Sequence, residues 1–258
     1  MAALWPRENY TLGGGPAQVA LIALSSAKLP DPLPVSRKTH GMPDEGEGPT
    51  SVALVARDRA EDPTWFTESV LAPFADLIVQ DLGDDAAATA LAAEHAYVIE
   101  ASIDDPDDLG HLQAAWALAK CVCEEGAAVV IDVYAARAHL GTDIAKLSPE
   151  RAFDVMHEVT FFFEETRDTV AAWSLGLRKF GRPDLVLLDI SPPLAAEAAL
   201  MLRDISAALA SGERIEPGDL ISGGEGAQLE AAIFTQDLEP LVAVDGPALV
   251  LRRVTAKA

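Results

Sequence analysis

The sequence is poor in cysteine, and this shortage bears on where the protein works. It has 2 cysteines in 258 residues, Cys121 and Cys123. They are two positions apart in a segment with a helical pattern, where they point to different sides of the helix and cannot easily bridge each other. Reduced thiols and a cytoplasmic location are the simplest interpretation.

Basic residues are also scarce. The chain has 19 Lys and Arg against 41 Asp and Glu, a formal net charge of −22. Residues 41–150 alone hold 5 basic and 22 acidic residues. A protein that follows phosphates needs a basic face, so we expect no nucleic-acid partner and no anionic membrane partner. The charge is compatible with a basic protein partner, and an acidic surface that serves only solubility is the plain alternative.

Long apolar runs and the common catalytic motifs are missing as well. Charged residues interrupt the apolar runs before they reach the length of a membrane span, and the N-terminus lacks the basic-then-apolar order of a secretory signal. No G-x-S-x-G elbow supports a serine hydrolase. His157 and Glu158 begin like a zinc-protease motif, but Phe161 stands where the second histidine belongs. We predict no metal site and no cofactor.

What the sequence does contain is a regular alternation of strand and helix patterns. Residues 96–103 and 127–136 have strand patterns around a helical segment at 104–126, and residues 184–222 repeat the strand–helix–strand order. Consecutive strands between residues 160 and 191 favour an α+β class. We therefore predict a mixed, largely antiparallel sheet or sheets with helices on one side, with two ferredoxin-like strand–helix–strand halves as a variant.

The sequence permits two interpretations of the domain organisation. The length permits one compact unit of residues 1–258 or two halves, 1–95 and 96–258. Residues 27–50 are rich in Pro and Gly without periodicity, which predicts a mobile loop or linker. The apolar segment 76–82 is predicted to be a strand.

The segment 172–191, AWSLGLRKFGRPDLVLLDIS, has the highest density of distinctive residues. Alternation predicts a half-buried strand that runs to a tight turn and returns as a second strand. Its basic side chains could bind a carboxylate, a phosphate or an acidic peptide, and internal salt bridges to the acidic surroundings are the alternative. The candidate binding residues are Trp173, Arg178, Lys179, Phe180 and Arg182. The candidate turn residues are Gly176, Gly181, Pro183, Asp184, Gly218 and Asp219.

This segment and the helix and turn that follow it resemble the C-terminal part of an uncharacterised bacterial α+β domain family. The resemblance covers roughly the last 90 residues. It implies a bacterial, cytoplasmic protein and carries no catalytic assignment. The matching positions are Ser174, Gly176, Phe180, Gly181, Pro183, Asp184, Gly218 and Asp219.

The sequence favours a non-enzymatic function over catalysis. We expect a bacterial protein-binding or accessory module, immunity-like or adaptor-like, whose acidic surface recognises a basic protein. The alternative is a carboxylate-dependent hydrolase or transferase with a cleft between the two halves. Two or more Asp or Glu side chains with raised pKa values in one pocket would favour that alternative.

Overall fold

The computed structural model of the protein describes residues 4–43, 52–148, 153–165, 168–222, 228–239 and 242–254. The chain forms two compact units, each with its own sheet. The first comprises Met1–Pro6 and Gln18–Phe153, and the second comprises Arg7–Ala17 and Asp154–Ala258. The division along the chain falls at residue 153, whereas the two-halves interpretation of the sequence placed it between residues 95 and 96. A boundary there would separate two strands that pair along their whole length in the first unit, Ala53–Asp58 and His95–Asp104.

The first unit contains a five-stranded sheet with the order β2-β3-β1-β4-β5. The pairs β2–β3, β1–β4 and β4–β5 are antiparallel. The strands are β1 (Pro16–Ser25), β2 (Ala53–Asp58), β3 (His95–Asp104), β4 (Val129–Asp132) and β5 (Arg137–Leu140).

The helices of this unit include one continuous helical segment, residues 63–82. Asp62 caps its start by accepting a hydrogen bond from the Trp65 N–H, and Pro63 occupies the first turn, where its missing N–H costs nothing. The predicted strand at 76–82 is wrong, because this stretch is the end of a helix. The helices are α1 (Arg37–His40), α2 (Pro63–Trp65), a π-helical turn (Phe66–Leu71), α3 (Ala72–Leu82), α4 (Asp84–Leu91), α5 (Gly110–Glu124) and α6 (Gly141–Ile144).

Helices lie on both faces of this sheet. The π-helical turn, α3 and α4 cover one face, where Phe66, Ile78 and Ala90 pack on Ile22 and Ile131 of the strands. Helix α5 lies on the other face. Its Trp116 makes an edge-to-face contact with the His139 ring of β5. Adjacent residues of a strand point to opposite faces, and Ala138 packs on the first face, so His139 lies on the second. The central strands β1 and β4 are buried along most of their length, so both of their faces need a cover.

The second unit contains a six-stranded sheet with the order β6-β7-β8-β11-β10-β9. Only β8 and β11 run parallel among its neighbouring strands, and the other pairs are antiparallel. Its elements are α7 (Val155–Glu158), β6 (Thr160–Glu165), β7 (Val170–Leu175), a 3-10 turn (Leu177–Phe180), β8 (Asp184–Ile190), a second 3-10 turn (Pro192–Leu194), α8 (Ala195–Ala210), β9 (Leu220–Ser222), β10 (Gln228–Ile233) and β11 (Ala248–Arg253).

The predicted α+β class with largely antiparallel sheets is confirmed. In the second unit the long helix α8 packs against β7 and β8 on one side, and irregular chain carrying Phe234 and Val242 packs on the other side. Each unit holds one of the two strand–helix–strand segments, β3–α5–β4 and β8–α8–β9. The strands that flank each helix are not neighbours in the sheet, since β1 separates the first pair and β11 and β10 separate the second.

The predicted loop at residues 27–50 lies within the first unit and does not join the two units. Its residues 44–50 lie outside the described part of the chain. The Leu29 N–H donates to the Tyr97 hydroxyl at 2.7 Å. His40 is buried, accepts from the Ser36 N–H at Nδ1, and places Nε2 2.9 Å from the Glu124 carboxylate. These contacts hold residues 29–40 against β3 and α5.

Candidate functional site

The segment 172–191 takes a different path from the one its alternation predicted. Strand β7 ends at Leu175, and Gly176 adopts a φ of 120° that disfavours any other residue. A 3-10 turn then carries the chain to Gly181, whose φ is 64°. The predicted strand over residues 172–180 is therefore wrong in its second half, because the chain leaves the sheet at the first glycine.

Two of the three basic side chains in this segment are buried. The Lys179 ammonium donates to the Glu158 carboxylate at 2.9 Å, and both side chains are fully buried. The Arg182 guanidinium is 4% exposed and donates to four backbone carbonyls. They belong to Thr11, Gly181, Gly212 and Glu213. The alternative of an internal salt bridge is confirmed for Lys179, and the exposed basic spot is not formed.

Of the other predicted binding residues, Trp173 and Phe180 belong to the interior of the second unit. Trp173 is buried, and its ring stacks on Phe162 of β6 at 5.5 Å between centroids. Phe180 is fully buried. Arg178 is half-buried and donates to the Asp245 carbonyl at 3.4 Å. A ligand of Trp173 or Phe180 would have to enter the packed interior, whereas Arg178 lies at its edge.

Asp184 lies at the centre of the turn that these residues build. Its Oδ1 accepts from the Ser174 hydroxyl at 3.0 Å and from the Leu177 N–H at 3.1 Å. Burial raises the pKa of Asp184 to about 7, although these hydrogen bonds and the nearby Lys179 charge act to lower it. The Ser174 hydroxyl in turn accepts from the Leu185 N–H, so the pair joins β7 to β8 at the point where the chain reverses.

The remaining turn residues have local roles. A Cβ at position 181 would collide with the backbone carbonyl of Gly15. Glycine avoids this clash because it has no Cβ. Pro183 follows this close approach and leads into β8. Gly218 has a φ of 100°, and the Asp219 carboxylate accepts from the Glu216 N–H at 2.8 Å. These residues shape two turns of the second unit.

The thiols are poorly suited to nucleophilic attack. Burial and neighbouring glutamates raise the pKa of Cys121 to about 11 and that of Cys123 to about 12. A thiol of this kind is almost entirely protonated at neutral pH, and the thiolate is the reactive form. Among the described residues, no three His, Cys, Asp or Glu side chains are grouped so that they could hold a metal ion.

The most distinctive exposed feature is an acidic face on the helical layer of the first unit. Residues of the π-helical turn, α3 and α4 pack inward on the sheet, and their polar residues point outward. We call this face the acidic helical surface. It consists of the exposed residues Glu68, Asp76, Val79, Asp84, Asp85 and Leu91.

The carboxylates of the acidic helical surface are uncompensated. Within the described ranges, Glu68, Asp76, Asp84 and Asp85 take part in no ion pair. The neighbouring Asp81 is different, because it accepts from the Ala138 N–H at 2.8 Å and fixes α3 to β5. The helix dipole of α4 stabilises Asp84 and Asp85 in its first turn, which is their structural role.

Two aliphatic side chains of the same helices are also exposed. Val79 is 42% exposed and Leu91 is 46% exposed. Sequence reasoning detected the acid in this region but misread residues 76–82 as a strand, so it could not place Asp76 and Val79 on one helical face. The signal that would have found the face is the recurrence of Phe74, Leu77, Ile78 and Leu82 at helical spacing.

Comparisons with known proteins return no relative. No family model matches the chain, and neither a curated protein nor a solved structure does so. The resemblance of the C-terminal part to a bacterial family therefore stays an expectation. None of the helices in the described ranges combines the length and the apolar character needed to cross a membrane.

Proposed function

We propose that the protein is a non-enzymatic binding module whose acidic helical surface recognises a basic protein partner. The observation that carries the proposal is the set of uncompensated carboxylates on one packed helical layer, together with the exposed Val79 and Leu91 of the same layer. An immunity-like or adaptor-like role is compatible with this proposal. A bacterial cytoplasmic location is part of it, since Cys121 and Cys123 are free thiols.

Electrostatics supports recognition at this surface. The first unit holds 9 basic and 23 acidic residues, a net charge of −14, against 10 and 18 in the second. A field of one sign raises the rate at which an oppositely charged protein arrives, and salt weakens it over a Debye length of about 8–10 Å. Exposed aliphatic side chains inside the field can then be buried against the partner, which slows dissociation.

The catalytic alternative requires carboxylates of raised pKa that a substrate can reach. Burial raises the pKa of the Asp184 carboxyl to about 7, which makes it the carboxylate to consider for this role. It is 5% exposed, and its Oδ1 already accepts two hydrogen bonds from within the protein. An enclosed carboxylate that is already hydrogen-bonded within the protein supports a structural role for Asp184 better than an acid–base role.

The test is affinity capture of the tagged full chain from its native lysate at low and high salt, with three baits. One bait is the wild type. A surface variant carries Glu68→Gln, Asp76→Asn and Asp85→Asn. A control variant carries Glu164→Gln, Glu165→Gln and Asp168→Asn, which remove the same charge from exposed positions of the second unit.

We expect a basic protein that the wild type and the control variant retain at low salt, and that is lost at high salt. The surface variant should fail to retain it. Capture of nothing by the wild type, or equal retention by the surface variant, would overturn the proposal. Equal loss from both variants would show that net charge alone, and not this surface, governs binding.

A further inference from the structure

The sheet of the first unit has an open groove beyond the end of its helical layer. The groove has a volume of about 330 Å³. All of its lining residues belong to the first unit. The residues that matter here are Gln18 and Ala20 of β1, Ala53 of β2, Glu100 and Ser102 of β3, and Tyr134 in the turn after β4.

Strand alternation explains why the groove is there. Ala20 lies on the same face of β1 as Ile22 and Leu24, which the helical layer covers. Glu100 and Ser102 continue the face of β3 that begins with the covered Ala96. The helical layer stops before it reaches Ala20 and Glu100, and the alanines leave room above the strands. Sequence reasoning missed this groove, since nothing in the sequence indicates where the helical layer ends.

Glu100 gives the groove its chemical character. It is exposed, lies opposite Ala53 in the β2–β3 register, and makes no ion pair within the part of the chain that the structure describes. Ser102 follows two positions later on the same face, about 7 Å away. Asp104 ends the same strand face and is also exposed. This end of the sheet therefore attracts cations and repels phosphates and carboxylates.

The other lining groups fit a planar cation. A guanidinium has five N–H donors in one plane, pairs with a carboxylate through two parallel hydrogen bonds, and stacks on aromatic rings. Glu100 provides the carboxylate, Ser102 provides a hydroxyl oxygen, and Tyr134 provides an aromatic ring in the lining. The volume lies at the lower end of the range for small-ligand sites, which suits one side chain.

We propose that this groove binds the guanidinium group of an arginine side chain. The proposal rests on the proposed function in one respect, which is that a basic protein partner would supply the arginine. Glu100 holds the charge, and the alanine floor admits the planar head group. A neutral side chain of the same shape would lose the pairing with Glu100.

The experiment is a titration of the ¹⁵N-labelled full chain with N-acetyl-arginine methylamide, followed by NMR. Its neutral isostere, the citrulline analogue, is titrated in parallel. Glu100→Gln is the test variant, and Glu164→Gln is the matched control, an exposed glutamate on β6. We expect the arginine compound to shift the backbone amides of Gln18, Ser102 and Tyr134. Because an exposed pairing between two charged groups is lost, Glu100→Gln should weaken binding by up to about fivefold.

Three results would overturn the proposal: no shifts at these amides, equal binding of the citrulline analogue, or equal affinity of Glu100→Gln and the wild type. The titration needs no partner protein, so its outcome is independent of the capture experiment. If the arginine compound binds here while capture fails, the groove stands and the proposed function falls. If capture succeeds and the arginine compound does not bind, the acidic helical surface stands and the groove proposal is rejected.

Discussion

At the residue scale, the buried ion pair between Lys179 and Glu158 shows why a basic residue in a turn need not be a binding residue. Both side chains are fully buried at a distance of 2.9 Å. Taking two charges out of water is costly, and removing one partner leaves the other charge uncompensated. The Lys179 side chain therefore supports the turn between β7 and β8 from within.

We predict that Lys179→Met lowers the free energy of unfolding by about 3–5 kcal/mol. Lys146→Met is the control, because Lys146 pairs with Asp143 at the exposed surface and its loss should cost less than about 1 kcal/mol. The double variant Lys179→Met with Glu158→Leu should recover much of the lost stability, since neither charge of the pair is then left in the interior without its partner. Urea denaturation measures all three. Similar losses for Lys179→Met and Lys146→Met would contradict the prediction.

The Asp184 carboxyl predicts a pH dependence of stability. Burial raises its pKa from 3.8 to about 7 in the folded protein. The folded state therefore holds this proton more tightly than the unfolded chain does. Its contribution to stability is fully present below about pH 4 and is lost as the pH rises through about 7.

We expect the Asp184 carboxyl carbon to titrate near pH 7 in a ¹³C NMR experiment. Between pH 4 and 7, the wild type should lose stability relative to Asp184→Asn, by at most about 1.4 kcal/mol for each pH unit. A midpoint below pH 5, together with parallel stability profiles for the two proteins, would show that the carboxyl is ionised in the folded state.

At the scale of elements, the local hydrophobic pattern predicted the secondary structure correctly where a single helix has a clear apolar stripe. Helix α5, residues 110–124, lies within the segment 104–126 that an apolar stripe predicted. The pattern failed at residues 76–82, where a short apolar run fits a strand or a helix equally well. It also failed after Leu175. The alternation of apolar and polar residues continues there, but Gly176 and Gly181, which both have a positive φ, turn the chain out of the sheet.

The close approach at Gly181 gives a prediction for that turn. Gly181→Ala would both force a side chain into the left-handed region and drive its Cβ into the Gly15 carbonyl. Gly218→Ala is the matched control in the same unit, because Gly218 also has a positive φ but has open space around it. We expect the control to cost about 1–2 kcal/mol and Gly181→Ala to cost clearly more. Equal losses of unfolding free energy for the two variants, in thermal or urea unfolding, would show that the clash with the Gly15 carbonyl does not contribute.

At the scale of the whole molecule, the sequence predicted the class of fold and the sign of the charge but not the division into units. The N-terminal segment Arg7–Ala17 belongs to the second unit, where the Asn9 N–H donates to the Ser211 carbonyl and Arg182 donates to the Thr11 carbonyl. These contacts join residues 202 and 171 positions apart in the chain. No local pattern predicts them, because periodicity describes one element at a time.

The same limit explains what could be predicted of the candidate site. The excess of acid between residues 41 and 150 is visible in the sequence, and it led to the expectation of a basic partner. The acidic helical surface required the packing of α3 and α4 on the sheet. That packing buries Ile78 and Ala90 and leaves Asp76 and Leu91 exposed.

The most direct test of the central claim is the dissociation constant of the captured basic partner, measured for the wild type, the surface variant and the control variant from low to high salt. We predict that the surface variant binds about tenfold more weakly than the other two at low salt, and that the difference shrinks as salt rises. Equal dissociation constants for the surface variant and the control variant, or binding that does not respond to salt, would contradict recognition through the acidic helical surface.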